Sequence, residues 1–232
     1  KHMLKSCLEG QQEDETPDGF NTRTMVHEYG GAAFAPFEGG ILFSNMKDQR
    51  LYLTLPDNEI GGKEIMAVTP EGPFRYADGE ITVARARESH HKSWIGAEYV
   101  CVREDHTIDQ PSKVVNEVVA VNLTTREIRV IAQGNDFYAS PTVSSDGEWL
   151  AYVTWNHPYM PWDGTELWVS KLDPKTGLVL YSFQVAGGPS ESVQQPLWRL
   201  RGAGASATLE LLFLSDCSGY YNPHVIETSS FP

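Results

Sequence analysis

Five titratable side chains are the candidates for chemistry in this sequence: His27, Glu28, Asp105, His106 and His157. Histidine and carboxylate groups transfer protons in catalysis when burial or a neighbouring charge moves their pKa toward the working pH. A pocket that holds such groups needs no cofactor to isomerise or cyclise a small molecule. These residues therefore suggest acid–base catalysis as one hypothesis.

Two of the candidates share the short segment Val26-His27-Glu28-Tyr29. If this segment is a strand, His27 and Tyr29 point to one face and Glu28 to the other. The two side chains then cannot act as a dyad within the segment, and each needs partners from elsewhere in the chain. Hydrogen bonds that lock the fold are the alternative to a ligand role.

Aromatic and charged side chains in three segments are the candidates for ligand binding: Tyr29, Arg75, Tyr76, Tyr159, Trp162 and Asp163. The last three belong to Pro158-Tyr159-Met160-Pro161-Trp162-Asp163-Gly164, which interrupts two apolar runs. Its prolines make the segment stiff, and loops on rigid scaffolds often carry binding sites. Packing against a partner domain is an equal alternative for it.

Several kinds of site are excluded by the motifs that the sequence lacks. The Gly-x-Ser-x-Gly turn of an α/β-hydrolase is missing, since the nearest segment, Gly188-Pro189-Ser190-Glu191-Ser192, lacks the second glycine. The sequence has no phosphate-binding glycine loop. His90 and His91 are adjacent, so on a strand they point apart and cannot chelate together. We expect no serine peptidase activity from the chain itself, no metal and no cofactor.

The net charge of −13 bounds the partners of this 232-residue chain. No cluster of Lys and Arg could bind nucleic acid, and the acidic balance modestly favours cationic ligands. No apolar run is long enough to cross a membrane. The three cysteines, Cys7, Cys101 and Cys217, are far apart, which indicates neither a zinc site nor a disulfide framework. We expect a cytoplasmic protein in which Cys101 is a buried structural thiol.

Short apolar runs punctuated by turn residues predict an all-β fold. Four of the runs lie about 50 to 60 residues apart, as expected for propeller blades of about four strands; they are Gly40–Ser44, Glu98–Val102, Trp149–Val153 and Leu209–Leu214. Each is followed by a polar turn and a second apolar strand. Asp146-Gly147 supplies a tight turn between the first two strands of one blade. His106 and His157 follow equivalent strands, which favours a turn-capping role for both.

Longer blocks carry a family resemblance from about Gly19 to Glu227. They are Val26–Gly31, Ser44–Tyr52, Thr69–Gly79, Cys101–His106, Asn135–Pro141 and Thr154–Val169. Together they resemble the N-terminal propeller of the prolyl oligopeptidase family, in its acylaminoacyl-peptidase and dipeptidyl-aminopeptidase branch. Two departures are a short stretch before Val26 and Trp198-Arg199-Leu200-Arg201-Gly202 in place of the family's Trp-Ser-Pro-Asp-Gly turn.

The resemblance implies a domain organisation and a function. Residues 1–18 are expected to be an N-terminal tail, with Lys1–Met3 a cloning remnant, and residues 19–232 a partial or degenerate propeller. In the family, the propeller covers the hydrolase active site and filters access by size. We therefore expect a non-catalytic gating module for a small-molecule or peptide ligand. The alternatives are a stand-alone isomerase or cyclase, a subunit that pairs with a separate hydrolase chain, and self-association through exposed blades.

Overall fold

The computed structural model describes residues 5–8, 11–37, 40–57, 62–83 and 96–232. His90 and His91 lie outside these residues. Among the described residues, no helix has the length and apolar character needed to cross a membrane. Apart from short 3₁₀ turns at Val26–Glu28, Gly204–Ser206 and Thr228–Ser230, the regular structure of the described residues is β-strand. The predicted all-β class is therefore confirmed.

Four antiparallel sheets follow one another along the chain, each built from consecutive strands. The first comprises β3 to β6, at Phe34–Phe37, Gly40–Ser44, Leu51–Asp57 and Gly62–Ala67. The second comprises β7 to β10, at Phe74–Thr82, Glu98–Asp105, Val115–Asn122 and Ile128–Gln133. The third comprises β11 to β14, at Phe137–Val143, Trp149–Trp155, Glu166–Leu172 and Val179–Gly187. The fourth comprises β15 to β17, at Val193–Arg201, Thr208–Ser215 and Asn222–Glu227.

The four sheets are the propeller blades that the repeat predicted. Their first strands, β3, β7, β11 and β15, contact one another in chain order and form the inner side of the array. A separate two-stranded sheet pairs β1 (Lys5–Leu8) with β2 (Gln11–Asp14) near the N-terminus. The boundary predicted at residue 18 stays a prediction, although the Thr16 and Thr22 hydroxyls already form a buried hydrogen bond of 2.9 Å.

The second strands of the two middle blades, β8 and β12, are largely apolar because both of their faces are buried between neighbours. On β8, Tyr99 and Cys101 pack toward the first blade. The alternate residues Val100 and Val102 pack toward the third blade. All seven residues of β12 are buried for the same reason. Cys101 has no exposed surface, so the prediction of a buried structural thiol is confirmed.

The hairpin predicted at Asp146-Gly147 joins β11 to β12. Gly147 adopts a left-handed φ of 75°, and its N–H donates to the Ser144 carbonyl at 2.8 Å. The Ser144 hydroxyl donates to the Asp146 carboxylate at 2.5 Å and accepts from the Trp149 N–H at 2.9 Å. These short-range bonds explain why the turn could be predicted from local sequence.

A bulge recurs at the same place in three inner strands. The strand register slips between Ala77 and Glu80, between Ala139 and Thr142, and between Gln194 and Leu197. In each bulge one residue has a left-handed φ: Asp78 at 60°, Ser140 at 50° and Gln195 at 53°. The Asp78 N–H donates to the Ala32 carbonyl, and the Asp78 carboxylate accepts from the Ser140 N–H at 2.6 Å. A hydrogen bond therefore connects the first bulge with the second across the blades.

Glu80 provides a second polar link between the second and third blades. Its carboxylate accepts hydrogen bonds from the Val143 N–H and from the Thr142 hydroxyl, the latter at 3.2 Å. The Thr142 carbonyl in turn accepts from the Trp198 indole of the fourth blade at 3.0 Å. Burial raises the pKa of Glu80, and the two hydrogen bonds oppose that rise.

The raised pKa predicts a pH-dependent stability that the Glu80→Gln variant lacks. Between the ordinary carboxyl pKa and the raised one, the folded chain holds a proton that the unfolded chain has released. The contribution of Glu80 to stability therefore falls as pH rises through that window. The free energy of unfolding should be measured for both proteins from about pH 4 to about pH 8. The difference, wild type minus variant, should decrease with pH, and parallel curves would contradict the assignment.

The two ends of the array differ in how they are covered. At the first blade, Phe20 of the preceding segment packs on Phe43 and Tyr52, with ring centroids 5.7 and 4.8 Å away. On the outer face of the fourth blade, Leu197 and Val225 flank Leu212 in register. Leu197 is 59% and Val225 52% exposed. Among the described residues, no sheet packs on this face.

Candidate functional site

The candidate site lies at the end of the array where the second strand of each blade turns into the third. The turn after β8 begins at His106, and the turn after β12 contains His157. Segments that precede inner strands, Val26–Glu28 before β3 and Asp136 before β11, reach the same end because the strands alternate in direction. The antiparallel order thus gathers residues distant in sequence.

A cleft of about 620 Å³ opens at this end, between the second and third blades. We call it the end cleft; it is lined by His27, Glu28, Glu104, His106, Asp109, Pro111, Ser112, Val114, Asn116, Asp136, Phe137 and His157. A second space of about 350 Å³, the inner cavity, lies against the inner strands. Its lining includes His27, Tyr29, Gly31, Ala139 and Trp155. Of the described lining residues, His27 alone belongs to both, so its side chain stands between them.

Glu104 is the central carboxylate of the end cleft and is only 3% exposed. One oxygen accepts the backbone N–H of His27 at 2.7 Å. The other lies 3.0 Å from His106 Nε2 and 3.8 Å from the Arg75 guanidinium. A buried carboxylate with this many donors is held in one position, and it fixes both histidines.

His106 is held between two carboxylates. Its Nε2 faces Glu104, and its Nδ1 lies 2.9 Å from the Asp109 carboxylate. Carboxylate oxygens only accept, so both bonds form together when the ring carries two N–H groups and hence a positive charge. The His106 hydrogen bond also lowers the pKa of Asp109. This arrangement serves to hold the turn in place, as the repeat position suggested.

His157 forms the matching pair on the third blade. Its Nδ1 lies 3.0 Å from the Asp136 carboxylate, which also accepts the His157 backbone N–H at 2.9 Å. That backbone hydrogen bond, with the ring contact, lowers the pKa of Asp136. Because the His157 side chain is 69% exposed, this pair is open to solvent and to ligands.

His27 occupies an aromatic cage at the junction of the two spaces. Its ring centroid lies 5.5 Å from Tyr29, 5.6 Å from Phe137 and 5.5 Å from Trp155. Burial lowers the pKa of His27, while the charges of Glu104 and Asp78 oppose the shift. Its Nε2 is buried and, within the described part of the chain, has no hydrogen-bond partner. A neutral ring with one unpaired nitrogen is therefore available at this junction.

The strand expected at Val26–Tyr29 is wrong, because the segment is a 3₁₀ turn with left-handed φ at His27 (55°) and Glu28 (65°). The turn is closed by the Gly30 N–H, which donates to the Val26 carbonyl at 2.8 Å. Consecutive left-handed residues that are not glycine are strained and need support from tertiary contacts. Glu104 supports His27, and Arg75 pairs with the Glu28 carboxylate at 2.6 Å.

Comparison with solved structures decides the family. A puromycin-hydrolysing peptidase of Mycobacterium tuberculosis is 31% identical and superposes with a TM-score of 0.75 over 94% of this chain. A puromycin hydrolase is 28% identical, with a TM-score of 0.79 over 99% of this chain. Both are peptidases of the prolyl oligopeptidase family. This chain is a propeller domain of that family.

The propeller domain spans about one third of the length of these peptidases, 32% of the first and 34% of the second. An oligogalacturonate lyase from Vibrio parahaemolyticus superposes with a TM-score of 0.50 at 14% identity, which is a likeness of fold alone. No protein-family model matches the sequence, and no curated protein does. The likeness to the two peptidases confirms the family resemblance that the sequence blocks predicted.

Four of the five acid–base candidates line the end cleft of the propeller domain: His27, Glu28, His106 and His157. Asp105 does not, because its carboxylate caps the following turn, accepting the Thr107 N–H at 2.8 Å and the Thr107 hydroxyl at 2.5 Å. Their predicted role in catalysis stays a prediction. The capping alternative has direct support in the hydrogen bonds of His106 and His157.

The ligand-binding candidates are dispersed. Tyr29 lines the inner cavity, and Arg75 stands behind the end cleft against Glu28 and Glu104. Tyr76 lies in the core between the first two blades and is 1% exposed, because neighbours on a strand point to opposite faces. Burial raises the pKa of its hydroxyl far above the ordinary value.

The remaining three candidates lie in the turn between β12 and β13. The Asp163 carboxylate accepts the Met160 N–H at 3.0 Å and so caps the turn. Trp162 is 64% exposed, and Tyr159 lines a small space of about 120 Å³ beside His157. The stiff segment thus presents aromatic surface at the same end of the domain as the end cleft.

Several residues of the end cleft were not among the sequence candidates: Glu104, Asp109, Asn116, Asp136 and Phe137. Glu104 and Asp136 do belong to sequence blocks that carry the family resemblance. The signal that could have found Glu104 is its position two residues before His106 at a strand end. Side chains two apart on a strand share a face.

Proposed function

We propose that this peptidase-associated propeller is a non-catalytic gate that admits peptides to a hydrolase site by size. The observation that carries the proposal is the pair of adjoining spaces, the end cleft and the inner cavity, which meet at His27. The His27 side chain is thus the boundary that a peptide would pass between the two spaces. This route agrees with the likeness to puromycin-hydrolysing peptidases, whose remaining two thirds this chain does not span.

Exposed aromatic side chains around the same end support a partner domain there. Tyr29 is 68%, Trp162 64% and Tyr220 81% exposed. The turns that carry Trp162 and Tyr220 are joined through Ser192, whose hydroxyl donates to the Pro161 carbonyl at 2.6 Å and accepts from Tyr221 at 2.8 Å. Large apolar side chains on a polar surface are typical of interfaces. A hydrolase domain, in the same chain or in another, is the proposed occupant.

The gate is tested by narrowing the inner cavity in a chimaera. The matched third of a puromycin hydrolase is replaced by this chain, with Gly31 as glycine, alanine or tryptophan. A Cβ at Gly31 meets Ala77 Cβ at 3.4 Å and Asp78 Cβ at 3.9 Å, so alanine is tolerated. We expect Gly31→Trp to lower kcat/KM for a long peptide about tenfold and to leave a small arylamide substrate within about twofold.

Gly31→Ala is the matched control, since it changes the same position without filling the cavity. Equal losses on the long and the short substrate, at an unchanged melting temperature, would show that the inner cavity does not select by size. No loss on either would show that peptides do not pass the inner cavity. Either outcome contradicts the gate. The isomerase or cyclase alternative and self-association through the fourth blade stay predictions.

A further inference from the structure

The end cleft contains a buried acceptor that none of the described residues satisfies. Asn116 is 5% exposed, and its Oδ1 has no hydrogen-bond partner. The residue lines the end cleft together with His27, whose Nε2 is also buried and unpaired. Buried polar atoms are nearly always paired in folded proteins, so an unpaired one in a cleft marks a place for a ligand atom. Because an amide oxygen accepts hydrogen bonds, the ligand atom that pairs with Asn116 Oδ1 must be a hydrogen-bond donor.

The charge of the end cleft determines which donor fits. Four carboxylates line it, from Glu28, Glu104, Asp109 and Asp136. Up to three cations offset them: the Arg75 guanidinium against Glu28 and Glu104, and His106 and His157 when both nitrogens of each ring carry a proton. The balance is negative. A cleft lined by one sign of charge concentrates ligands of the opposite sign, so the donor is a cation.

The walls show that the cation carries an apolar group. Phe137, Val114 and Pro111 add apolar surface to the lining. The volume of about 620 Å³ is that of an organic ligand rather than a bare ion. Within the ranges that the structure describes, no three His, Cys, Asp or Glu side chains are placed to hold a metal ion. An aromatic face beside carboxylates suits an ammonium group on an apolar body.

We propose that the end cleft binds an organic primary ammonium whose apolar or aromatic body packs on Phe137. The ammonium donates one hydrogen bond to Asn116 Oδ1, and Asp109 and Asp136 supply charge at the rim. Asp109 is 79% exposed, so its carboxylate is accessible to the ligand. The site needs no hydrolase domain, and its test is therefore independent of the gate.

The test is calorimetric titration of the purified chain with 2-phenylethylamine and with its neutral N-acetyl derivative. We expect the amine to bind at least about tenfold more tightly than the amide, which is a difference of about 1.4 kcal/mol. Higher salt should weaken binding of the amine and leave binding of the amide unchanged, because salt screens only the charged compound. Equal binding of the two compounds, or no binding of the amine, would overturn the proposal.

Three variants locate the site. Asn116→Leu should weaken binding of the amine about tenfold. The melting temperature of this variant shows whether it folds. Asp109→Asn removes an exposed charge without a packing change and should weaken the amine about threefold. Glu71→Gln is the matched control, because it also removes one acidic charge, from a side chain that is 88% exposed and pairs with Arg50. Wild-type affinity in both cleft variants would contradict the assignment.

Discussion

Replacing Glu104 with alanine is expected to lower the free energy of unfolding by about 3 to 5 kcal/mol. The carboxylate is 3% exposed and accepts hydrogen bonds from the His27 backbone and the His106 ring. Without it, both donors lose a charged acceptor in a buried place. The left-handed turn at His27 also loses its support. Urea denaturation followed by circular dichroism measures the change.

Glu71→Ala is the control for the loss of one carboxylate. Glu71 forms an ion pair with Arg50 at 3.3 Å, but its side chain is 88% exposed. Exposed ion pairs contribute little, so the change should stay within about 0.5 kcal/mol. A loss in Glu104→Ala no larger than this control would show that the end cleft is not held by Glu104.

Gly187→Ala should cost at least about 4 kcal/mol or prevent soluble expression. Gly187 ends β14, where the chain crosses to the fourth blade, and has a left-handed φ of 91°. An added Cβ would lie 2.0 Å from the Thr165 carbonyl oxygen and 3.0 Å from Glu166 Cα. Both atoms belong to the neighbouring backbone, which cannot move aside without breaking the ladder. Thermal unfolding and soluble yield measure the effect.

Gly219→Ala separates the clash from the conformational cost. Gly219 has nearly the same φ, 93°, but an added Cβ meets nothing within 4 Å. Its variant should therefore lose only the left-handed penalty of about 1 to 2 kcal/mol. If both variants lost the same amount, the close approach at Gly187 would have no energetic role.

The repeat of strands was predictable because its causes are local or periodic. The apolar runs around Tyr99 and Leu150 are uninterrupted since both faces of their strands are buried. The Asp146-Gly147 turn is made by atoms within five residues of one another. The bulges at Asp78 and Ser140 were missed because their bonds cross between blades 62 residues apart. Sequence pattern reports burial well and long-range pairing poorly.

The end cleft was predicted in part, for the same reason. Histidines at strand ends marked His106 and His157, and both do lie in it. The conformation predicted for His27 was wrong because it depends on Glu104, which is 77 residues away in sequence. Asn116 gave no signal, since a polar residue at the start of a strand is ordinary until its oxygen is found without a partner.

The linked bulges of the inner strands have a consequence for synthesis on the ribosome. The Asp78 N–H uses an acceptor that precedes it, the Ala32 carbonyl, and the Ser140 N–H uses the earlier Asp78 carboxylate. In both of these bonds the acceptor emerges before its donor. A nascent chain can therefore form these two links in the order in which the inner strands emerge, as expected when each blade contacts its neighbours. The left-handed turn at His27 is the exception, because it waits for Glu104, whose carboxylate emerges 77 residues later.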